Sequence, residues 1–451
     1  MNYCSFNPYK LELLSEYAID DTLDLSNINN GFLAWTNLSI PQRVNCFNQL
    51  AILLEQQTEK LARLSVLEVG KPISEARTEI QKCCSAIRYY CSVAPGLLQE
   101  KVISSEAIYS AIRPEPLGPL LAVMPWNFPF WQVFRFAVPA MLAGNTVLLK
   151  HAPNVPQCAG TIAELFAAAG FPENAFTNYY LSNEAVAQFI AHPAIAGVTF
   201  TGSDATGSII GQLAGKYCKK STLELGGNDP MLIFSDADIQ ACVDAALFSR
   251  CINAGQACNG AKRFLVEQKV HDEFVARLSN AVHQLKVGDP SDENTQIGPL
   301  ARLDLLQKVH RQVNSSVEQG ARVEAVATTP NDSGWFYPPT VLSKVLPGMT
   351  VFEEEVFGPV WSITSFTSKE QAVELANNSI YGLGAAVWTT NEELIYWIIP
   401  RLQTGNVFIN DFVRSDPRFP FGGVKRSGHG KELGEAGLYE FVNWKTVFRK
   451  K

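Results

Sequence analysis

The chain has 451 residues, of which 47% are hydrophobic and 18% are charged, and its formal net charge at pH 7 is −7. At roughly 100–200 residues per domain this length predicts two to four domains, and the composition is that of an ordinary globular protein. The acidic balance argues against a protein that binds nucleic acid or a membrane surface, because such proteins normally carry a basic patch.

The ten cysteines are spread along the chain, without a CxxC pair and without the Cys and His spacing of a zinc site. A disulfide framework and a metal site are therefore not expected, and a reducing compartment is the simpler setting. The first residues do not show the basic and then apolar segments of a signal peptide. The most apolar region, 116–149, is interrupted by prolines and by Arg135, so it does not predict a membrane-spanning helix. We therefore expect a cytoplasmic protein.

The pattern of apolar residues changes along the first half of the chain. Residues 41–100 carry apolar side chains at helical spacing, which predicts helices. A short apolar strand ended by prolines follows in "PLGPLLAVMPWNFP". Next come a helix and a strand in "FRFAVPAMLAGNTVLLK" and a helix in "QCAGTIAELFAAAGFP". A strand at 196–203, the helix "DATGSIIGQLAGKY" and two short strands in "KSTLELGGNDPMLIF" continue the alternation.

The alternation resumes after about residue 260, with strands in "KRFLVE", "WSITSFTS", "LGAAVWTT" and "GNVFIND". This order predicts βαβ units and an α/β fold of two domains with mostly parallel sheets. The boundary is expected near 225–230, with a return crossing near 420. The C-terminal "YEFVNWKTVFR" alternates aromatic and β-branched residues, which predicts a strand that pairs with another one, such as a strand of a second subunit.

Cys258 lies in "NAGQACNG", among small and polar residues. An arbitrary cysteine is most often buried and inert. Here Gly255, Gln256 and Gly260 offer backbone amides and leave room around the sulfur. A reactive thiolate needs such access together with a lowered pKa or a nearby base. The local sequence therefore favours a reactive thiol more than an average cysteine does.

Two further stretches have both a structural and a functional interpretation. Glu224 lies between two leucines before a Gly-Gly turn, where it either points to solvent or acts as a general base with a raised pKa. In "VTFTGSDATG" a strand runs into a helix start, an arrangement that can hold a pyrophosphate. The spacing of Gly202 and Gly207 is GxxxxG and not GxGxxG, so a plain βα turn remains an alternative.

The aromatic segment "MPWNFPFWQVFRFAVP" would most often form core. Asn127 is its exception, because an exposed side-chain amide there could donate to a developing oxyanion. Arg135 lies among the same aromatic residues, and a buried arginine needs a partner. That partner is either a carboxylate of the protein, in a structural ion pair, or the carboxylate of a substrate, which guanidinium binds well.

Taken together and in order, these stretches resemble the aldehyde dehydrogenase superfamily over nearly the whole chain. The resemblance rests on eight segments: "PWNFP", "GNTVLLKHAPNVP", "FTGS", "LELGGNDP", "NAGQAC", "EEVFGPV", "GNVFIND" and "PFGGVKRSGHGKELG". It implies that Cys258 attacks an aldehyde and forms a thiohemiacetal and then a thioester. It also implies that Glu224 activates the hydrolytic water, and that Asn127 and the backbone N–H of Cys258 form the oxyanion hole.

The resemblance further implies binding of NAD or NADP in a Rossmann-like domain that lacks GxGxxG, and no metal. The implied cofactor residues are Trp126, Asn127, Lys150, His151, Ala152, Pro153, Gly202, Ser203, Leu225, Glu355 and Phe357. Pro153 stands where many strictly NAD-using members have a glutamate that repels the 2′-phosphate of NADP. Since no Ser or Arg replaces it to bind that phosphate, we expect dual use of NAD and NADP.

Three segments, "KHAPNVP", "FWQVFRFA" and "SDPRFPFGGVK", are similar to the bacterial succinate-semialdehyde dehydrogenases. That similarity implies oxidation of succinate semialdehyde to succinate, with Arg135 and Ser415 binding the distal carboxylate. Another carboxylated or aliphatic aldehyde, such as glutarate semialdehyde, is the alternative. Glu224 argues against a CoA-acylating dehydrogenase, which typically lacks this glutamate, and Cys258 argues against a non-catalytic binding or structural protein on the same scaffold.

The resemblance also implies two Rossmann-like domains and a small β element for oligomerisation. We expect a cofactor-binding domain at 1–227, with a β-hairpin arm near 103–120, and a catalytic domain at 228–425. Residues 426–451 are expected to form a C-terminal oligomerisation segment. The implied assembly is a homodimer or a homotetramer.

Overall fold

A computed structural model describes residues 2–22, 27–330 and 334–450 of the chain. The described part begins with a β-hairpin and continues with helices: β1 (Tyr3–Asn7), β2 (Glu12–Tyr17), α1 (Ile28–Thr36), α2 (Ile40–Gln56), α3 (Thr58–Val69) and α4 (Ile73–Leu97). The helical prediction for 41–100 is confirmed. Gly70 ends α3 with φ of +80°, a left-handed conformation that glycine adopts without steric cost.

Strands and helices then alternate up to residue 224. The elements are β3 (Lys101–Val102), β4 (Tyr109–Pro116), β5 (Pro119–Val123), α5 (Trp131–Leu142), β6 (Thr146–Lys150), α6 (Pro156–Ala168), β7 (Phe176–Asn178), α7 (Asn183–Ala191), β8 (Gly197–Thr201), α8 (Asp204–Lys216) and β9 (Lys220–Glu224). The predicted alternation is therefore confirmed in this part of the chain.

The remaining elements form the second half. They are β10 (Pro230–Ile233), α9 (Ile239–Cys251), β11 (Arg263–Glu267), α10 (His271–His283), α11 (Leu303–Glu318), β12 (Arg322–Val326), β13 (Thr340–Ser343), α12 (Thr350–Glu353), β14 (Val360–Phe366), α13 (Lys369–Asn377), β15 (Tyr381–Gly382), β16 (Gly384–Trp388), α14 (Glu392–Ile398), β17 (Asn406–Ile409), β18 (Val424–Lys425), β19 (Gly428–His429), α15 (Gly434–Tyr439) and β20 (Val442–Arg449).

The first large sheet has the strand order β19-β9-β8-β5-β6-β7, and all of its pairs are parallel except β19 with β9. Strands β5, β6 and β8 are buried along their whole length, as expected for strands covered by helices on both faces. One face packs against α2, α4, α5 and α6, and the other against α7 and α8. From β5 the chain adds β6 and β7 on one side of this strand and then returns to add β8 and β9 on its other side.

This reversal creates a topological switch point between β5 and β8. Ligands of open α/β sheets bind in the crevice outside the carboxyl ends of the strands at such a point. The segments that follow β5 and β8 are those around Asn127 and Gly202. The topology therefore places a ligand site at two of the segments singled out in the sequence.

The second large sheet has the order β12-β13-β14-β11-β10-β16-β17, with β12 antiparallel and the other pairs parallel. It has its own apolar core, which includes Phe264, Phe274 and Trp361. The first sheet's last parallel strand ends at Glu224, and the second sheet begins at Pro230. The short strands β15 and β18 pair with each other.

A third sheet consists of β3, β4 and β20 in antiparallel order. The predicted C-terminal strand is confirmed as β20, and its partner is β4 of the same chain, from Val442 opposite Pro116 to Arg449 opposite Tyr109. Trp444 and Phe448 on β20 remain exposed. None of the helices in the described ranges combines the length and apolar character needed to cross a membrane.

Candidate active site

The carboxyl ends of the first sheet's strands bring the predicted cofactor residues together. Thr201 at the end of β8 pairs with Glu224 at the end of β9, and Val123 at the end of β5 pairs with Phe200. The residues that follow these strands border a cavity of about 310 Å³. Its lining contains seven of the predicted cofactor residues: Trp126, Asn127, Gly202, Ser203, Leu225, Glu355 and Phe357.

Cys258 borders this cavity and also a second one of about 810 Å³. The second cavity contains Arg135 and Ser415 in its lining, so it joins both predicted substrate residues to the predicted nucleophile. Cys258 therefore lies where the two cavities meet.

The loop that carries Cys258 has an unusual backbone. Asn253, Ala254 and Gly255 have φ of +49°, +52° and +77°, so three consecutive residues lie in the left-handed region. This conformation costs free energy for residues other than glycine and persists only where the surroundings hold it. Here the Asn253 N–H donates to Glu75 at 2.7 Å, and the Asn253 side chain donates to the Asn127 carbonyl at 2.7 Å.

The buried guanidinium of Arg250 holds the same loop from the other side. It donates to the carbonyls of Gly255, Gly358, Val356 and Ala261. The sequence analysis did not single out Arg250 or Glu75, because their partners belong to distant segments. Together they fix the turn that precedes Cys258.

Burial raises the pKa of the Cys258 thiol to about 11, although the charges of Arg135 and Lys262 act in the opposite direction. The thiol is therefore protonated at neutral pH in the free protein, and its attack on a carbonyl requires removal of the proton. Lys262 lies close by, with its ammonium donating to the carbonyls of Ala257 at 3.0 Å and of Cys258.

Asn127 is held against the nucleophile loop. Its side-chain nitrogen donates to the Gln256 carbonyl at 3.0 Å, and its side chain is buried. An amide nitrogen carries two hydrogens, so one remains for a further acceptor. Because Asn127 and Cys258 border the same cavity, that hydrogen is available near the sulfur.

Glu224 is 2% exposed and borders neither cavity. Burial raises its pKa well above the usual value, while the charge of Arg135 lowers it and that of Glu432 raises it. Its Oε1 atom has no hydrogen-bond partner among the described residues. A buried carboxyl with an open acceptor and a raised pKa is suited to take up a proton.

Arg135 projects from α5 and forms a buried ion pair with Glu432, so the structural alternative considered for this arginine is present. Its Nη2 atom lies 3.4 Å from the Thr201 hydroxyl. Burial opposes the charge of Arg135, but the carboxylates of Glu432 and Glu224 raise its pKa. The guanidinium also borders the larger cavity, so the ion pair does not remove it from the predicted substrate site.

The hydroxyl of Ser415 accepts a hydrogen bond of 2.7 Å from the ammonium of Lys82, which borders the same cavity. Sequence reasoning missed Lys82, because a lysine on an amphipathic helix is normally solvated. It also missed the aromatic residues of this wall, which are Phe128, Trp131, Phe248, Phe412 and Phe421. Aromatic density alone does not separate a cavity wall from a core.

Lys150 is the last residue of β6, and His151, Ala152 and Pro153 follow it; none of the four borders either cavity. Burial lowers the pKa of Lys150 to about 8 and that of His151 to about 4. His151 is therefore neutral, with Nδ1 accepting from the Ala152 N–H at 2.9 Å and Nε2 lying 2.9 Å from the Pro129 carbonyl. These contacts fix the orientation of the His151 ring, whereas Pro153 is exposed.

Comparison with known proteins agrees with this geometry. The family model described as the aldehyde dehydrogenase family matches residues 13–447. The chain belongs to the aldehyde dehydrogenase family. The resemblance noted in the sequence and the predicted fold class are thereby confirmed.

Two curated relatives cover almost the whole chain. A Synechocystis sp. protein named a probable succinate-semialdehyde dehydrogenase (NADP+) is 44% identical over 434 residues, which cover 96% of this chain and 95% of the relative. The succinate semialdehyde dehydrogenase (NAD(P)+) Sad of Escherichia coli K12 is 43% identical over 449 residues, 99% of this chain and 97% of the relative.

Solved structures agree with the fold. The succinic semialdehyde dehydrogenase of Streptococcus pyogenes, solved in complex with NADP+, is 33% identical and superposes with a TM-score of 0.96 over 100% of both chains. PnpE, solved in complex with nicotinamide adenine dinucleotide, is 30% identical with a TM-score of 0.94.

Proposed function

We propose that this aldehyde dehydrogenase oxidises succinate semialdehyde to succinate, with NAD or NADP as the cofactor. The observation that carries the proposal is the position of Cys258 at the junction of two cavities. An aldehyde bound to its sulfur has the predicted cofactor residues on one side. On the other side lies a cavity with the polar groups of Arg135 and Ser415. The names of the two curated relatives support the same substrate.

The residues of the smaller cavity fit a nicotinamide dinucleotide. Ser203 caps α8, accepting the Thr206 N–H at 3.3 Å, and a helix N-terminus favours anionic groups such as a pyrophosphate. Glu355 offers a carboxylate that can accept from ribose hydroxyls. Trp126 and Phe357, whose ring centroids are 6.0 Å apart, add apolar surface for a flat ring. A nicotinamide bound there supplies the acceptor for a hydride.

The protein's own residues carry the remaining chemistry. The Cys258 thiol gives up its proton to water in the cavity, its sulfur bonds to the aldehyde carbon, and the carbonyl oxygen becomes an oxyanion. The free hydrogen of the Asn127 amide and the backbone N–H of Cys258 stabilise that charge. Loss of a hydride from that carbon would leave a thioester on Cys258. The ionised carboxylate of Glu224 then takes a proton from the water that attacks the thioester, and the carbon–sulfur bond breaks to release the acid; the raised pKa of Glu224 makes its carboxylate a stronger base for this step.

The proposal includes use of both cofactors. Pro153 is exposed after β6 and carries no charge, so no carboxylate at this position repels a 2′-phosphate. Lys150, at the end of the same strand, is the predicted contact of the adenosine ribose. We expect kcat/KM values for NAD and NADP within about tenfold of each other, a difference of about 1.4 kcal/mol.

The test compares kcat/KM for succinate semialdehyde, glutarate semialdehyde and butanal, each with NAD and with NADP. Butanal matches succinate semialdehyde in carbon number and lacks only the distal carboxylate. We expect succinate semialdehyde to be preferred over butanal by at least about tenfold, because a charged hydrogen bond contributes about 1.5–3 kcal/mol. Equal values for the two aldehydes would show that the carboxylate is not recognised, and a higher value for glutarate semialdehyde would favour the longer substrate.

We also propose a cytoplasmic homodimer or homotetramer with a cofactor-binding domain at 1–227, a catalytic domain at 228–425 and an oligomerisation segment at 426–451. All ten cysteines are free, which is typical of a reducing compartment. The long edge strand β20, with its exposed Trp444 and Phe448, supports an interface at this segment, because unprotected edges tend to pair.

A further inference from the structure

The lining of the larger cavity contains two cations besides Arg135, namely Lys82 and Arg414, and Arg414 forms an ion pair with Asp411. Lys82 projects from α4, and its ammonium donates to the Ser415 hydroxyl at 2.7 Å and lies 4.3 Å from the centre of the Trp131 ring. Neither the hydroxyl nor the ring carries a negative charge, so these two contacts do not neutralise the ammonium. Within the described ranges, none of the ion pairs includes Lys82.

The carboxylates near Lys82 are committed to other partners. Glu79 forms a buried ion pair with Lys71 and accepts the N–H groups of Phe130 and Trp131, both at 2.9 Å. Asp416 accepts two hydrogen bonds from the guanidinium of Arg418, at 2.9 and 2.6 Å. Neither is free to neutralise the ammonium of Lys82.

Arg135 is in the opposite situation. Its charge is already opposed by Glu432, with which it forms a buried ion pair, and its side chain is 2% exposed. An additional carboxylate at Arg135 would compete with Glu432. A carboxylate at Lys82 would meet a half-buried cation that has no anionic partner in contact, and its partial burial raises the cost of leaving it unpaired.

We propose that Lys82 is the residue that determines specificity for a carboxylated aldehyde, by binding the distal carboxylate together with the Ser415 hydroxyl. The inference rests on the proposed function and deepens it. Lys82, Ser415 and Cys258 border one cavity, so the sulfur and the ammonium face the same substrate space. Arg135 then supports the site through its charge and its ion pair with Glu432.

This assignment predicts a pH dependence that applies to carboxylated substrates alone. Burial and the charge of Arg135 lower the pKa of Lys82 to about 8, against the opposing effect of Cys83, Glu79 and Asp416. The ammonium is therefore present below about pH 8 and is lost above it. The KM for succinate semialdehyde should rise above this pH, while the KM for butanal should not follow it.

The decisive experiment measures kcat/KM for succinate semialdehyde and butanal in the wild type, Lys82→Met, Lys82→Arg and Lys60→Met. Lys60 is exposed on α3 and serves as the control for the loss of one positive charge. We expect Lys82→Met to lower the value for succinate semialdehyde by about 10- to 100-fold, the range for a hydrogen bond to a charged group. Butanal oxidation should stay within about threefold, which also reports correct folding, and Lys82→Arg should restore most of the loss.

The outcomes separate the two proposals. If the wild type prefers succinate semialdehyde and Lys82→Met keeps that preference, the assignment of Lys82 is wrong while the proposed function stands. If the wild type does not distinguish the two aldehydes, the proposed substrate fails and the assignment fails with it. A lost preference in Lys82→Met that Lys82→Arg also fails to restore would show a packing effect and would overturn the role of the charge.

Discussion

Replacing Lys262 with methionine should make the Cys258 thiol harder to ionise. Lys262 is 1% exposed, donates to the carbonyls of Ala257 and Cys258, and lies 3.4 Å from Glu355. The charged ammonium therefore contacts the backbone of Cys258 directly. Methionine has a similar length and no charge, so it removes the electrostatic contribution while it fills most of the space.

The size of the effect follows from Coulomb's law. Two unit charges about 6–8 Å apart interact by about 2–3 kcal/mol at an effective dielectric constant near 20, and each 1.4 kcal/mol shifts a pKa by one unit. The charge of Lys262 now lowers the pKa of Cys258, which is about 11. Its loss should raise that pKa further and reduce the thiolate fraction by about 10- to 100-fold.

The assay is the rate of Cys258 alkylation by iodoacetamide between pH 7 and 10, followed by mass spectrometry of the Cys258 peptide. Fragment-ion sequencing of this peptide separates Cys258 from Cys251, which lies on the same tryptic peptide, and the other eight cysteines lie on different peptides. Lys262→Arg keeps the charge and serves as the matched control, and thermal unfolding checks that Lys262→Met is folded. An unchanged alkylation profile in folded Lys262→Met would refute the electrostatic role of this lysine.

Three further substitutions test the remaining roles. Asn127→Ala should lower kcat by about 100- to 1000-fold, as for loss of one oxyanion donor, and an unchanged kcat would exclude that role. Glu224→Gln should release about one equivalent of reduced cofactor per site and then lose steady-state turnover; unchanged turnover would contradict its role as base. Glu432→Gln removes a charge that raises the pKa of Glu224, so the acidic limb of the kcat profile should move to lower pH, and a fixed limb would rule out this coupling.

Much of the fold could be predicted because it depends on local sequence, whereas the cofactor residues were implied by the resemblance of short segments to the aldehyde dehydrogenases. Alternating strand and helix patterns require parallel strands, and the carboxyl ends of parallel strands meet at one edge. The segments after β5, β8 and β9 therefore come together wherever they lie in the chain. Five of the predicted cofactor residues that border one cavity follow these strands, whereas Glu355 and Phe357 come from the segment before β14. Their individual roles and the domain boundaries remain predictions.

The substrate cavity could not be assembled from the sequence in the same way. Lys82 and Ser415 are separated by 333 positions and meet only because α4 packs beside a loop of the C-terminal region. The ion pair of Arg135 with Glu432 likewise joins α5 to the segment before α15. No periodicity encodes such contacts, and the left-handed turn at 253–255 is similarly imposed by Glu75 and Arg250 from outside the segment.

The arrangement of the buried charges gives a reason for the separate roles of Lys82, which binds the substrate carboxylate, and Arg135, which pairs with Glu432. Arg135, Glu224 and Glu432 are each at most 3% exposed, so their charges interact with little screening. An unpaired Arg135 would hold Glu224 ionised and make it a weaker base, whereas its pairing with Glu432 leaves the pKa of Glu224 raised. If Arg135 alone bound the substrate carboxylate, each binding event would disturb that balance. A substrate carboxylate that binds at Lys82 leaves the ion pair of Arg135 with Glu432 intact, and the pKa of Glu224 therefore stays raised.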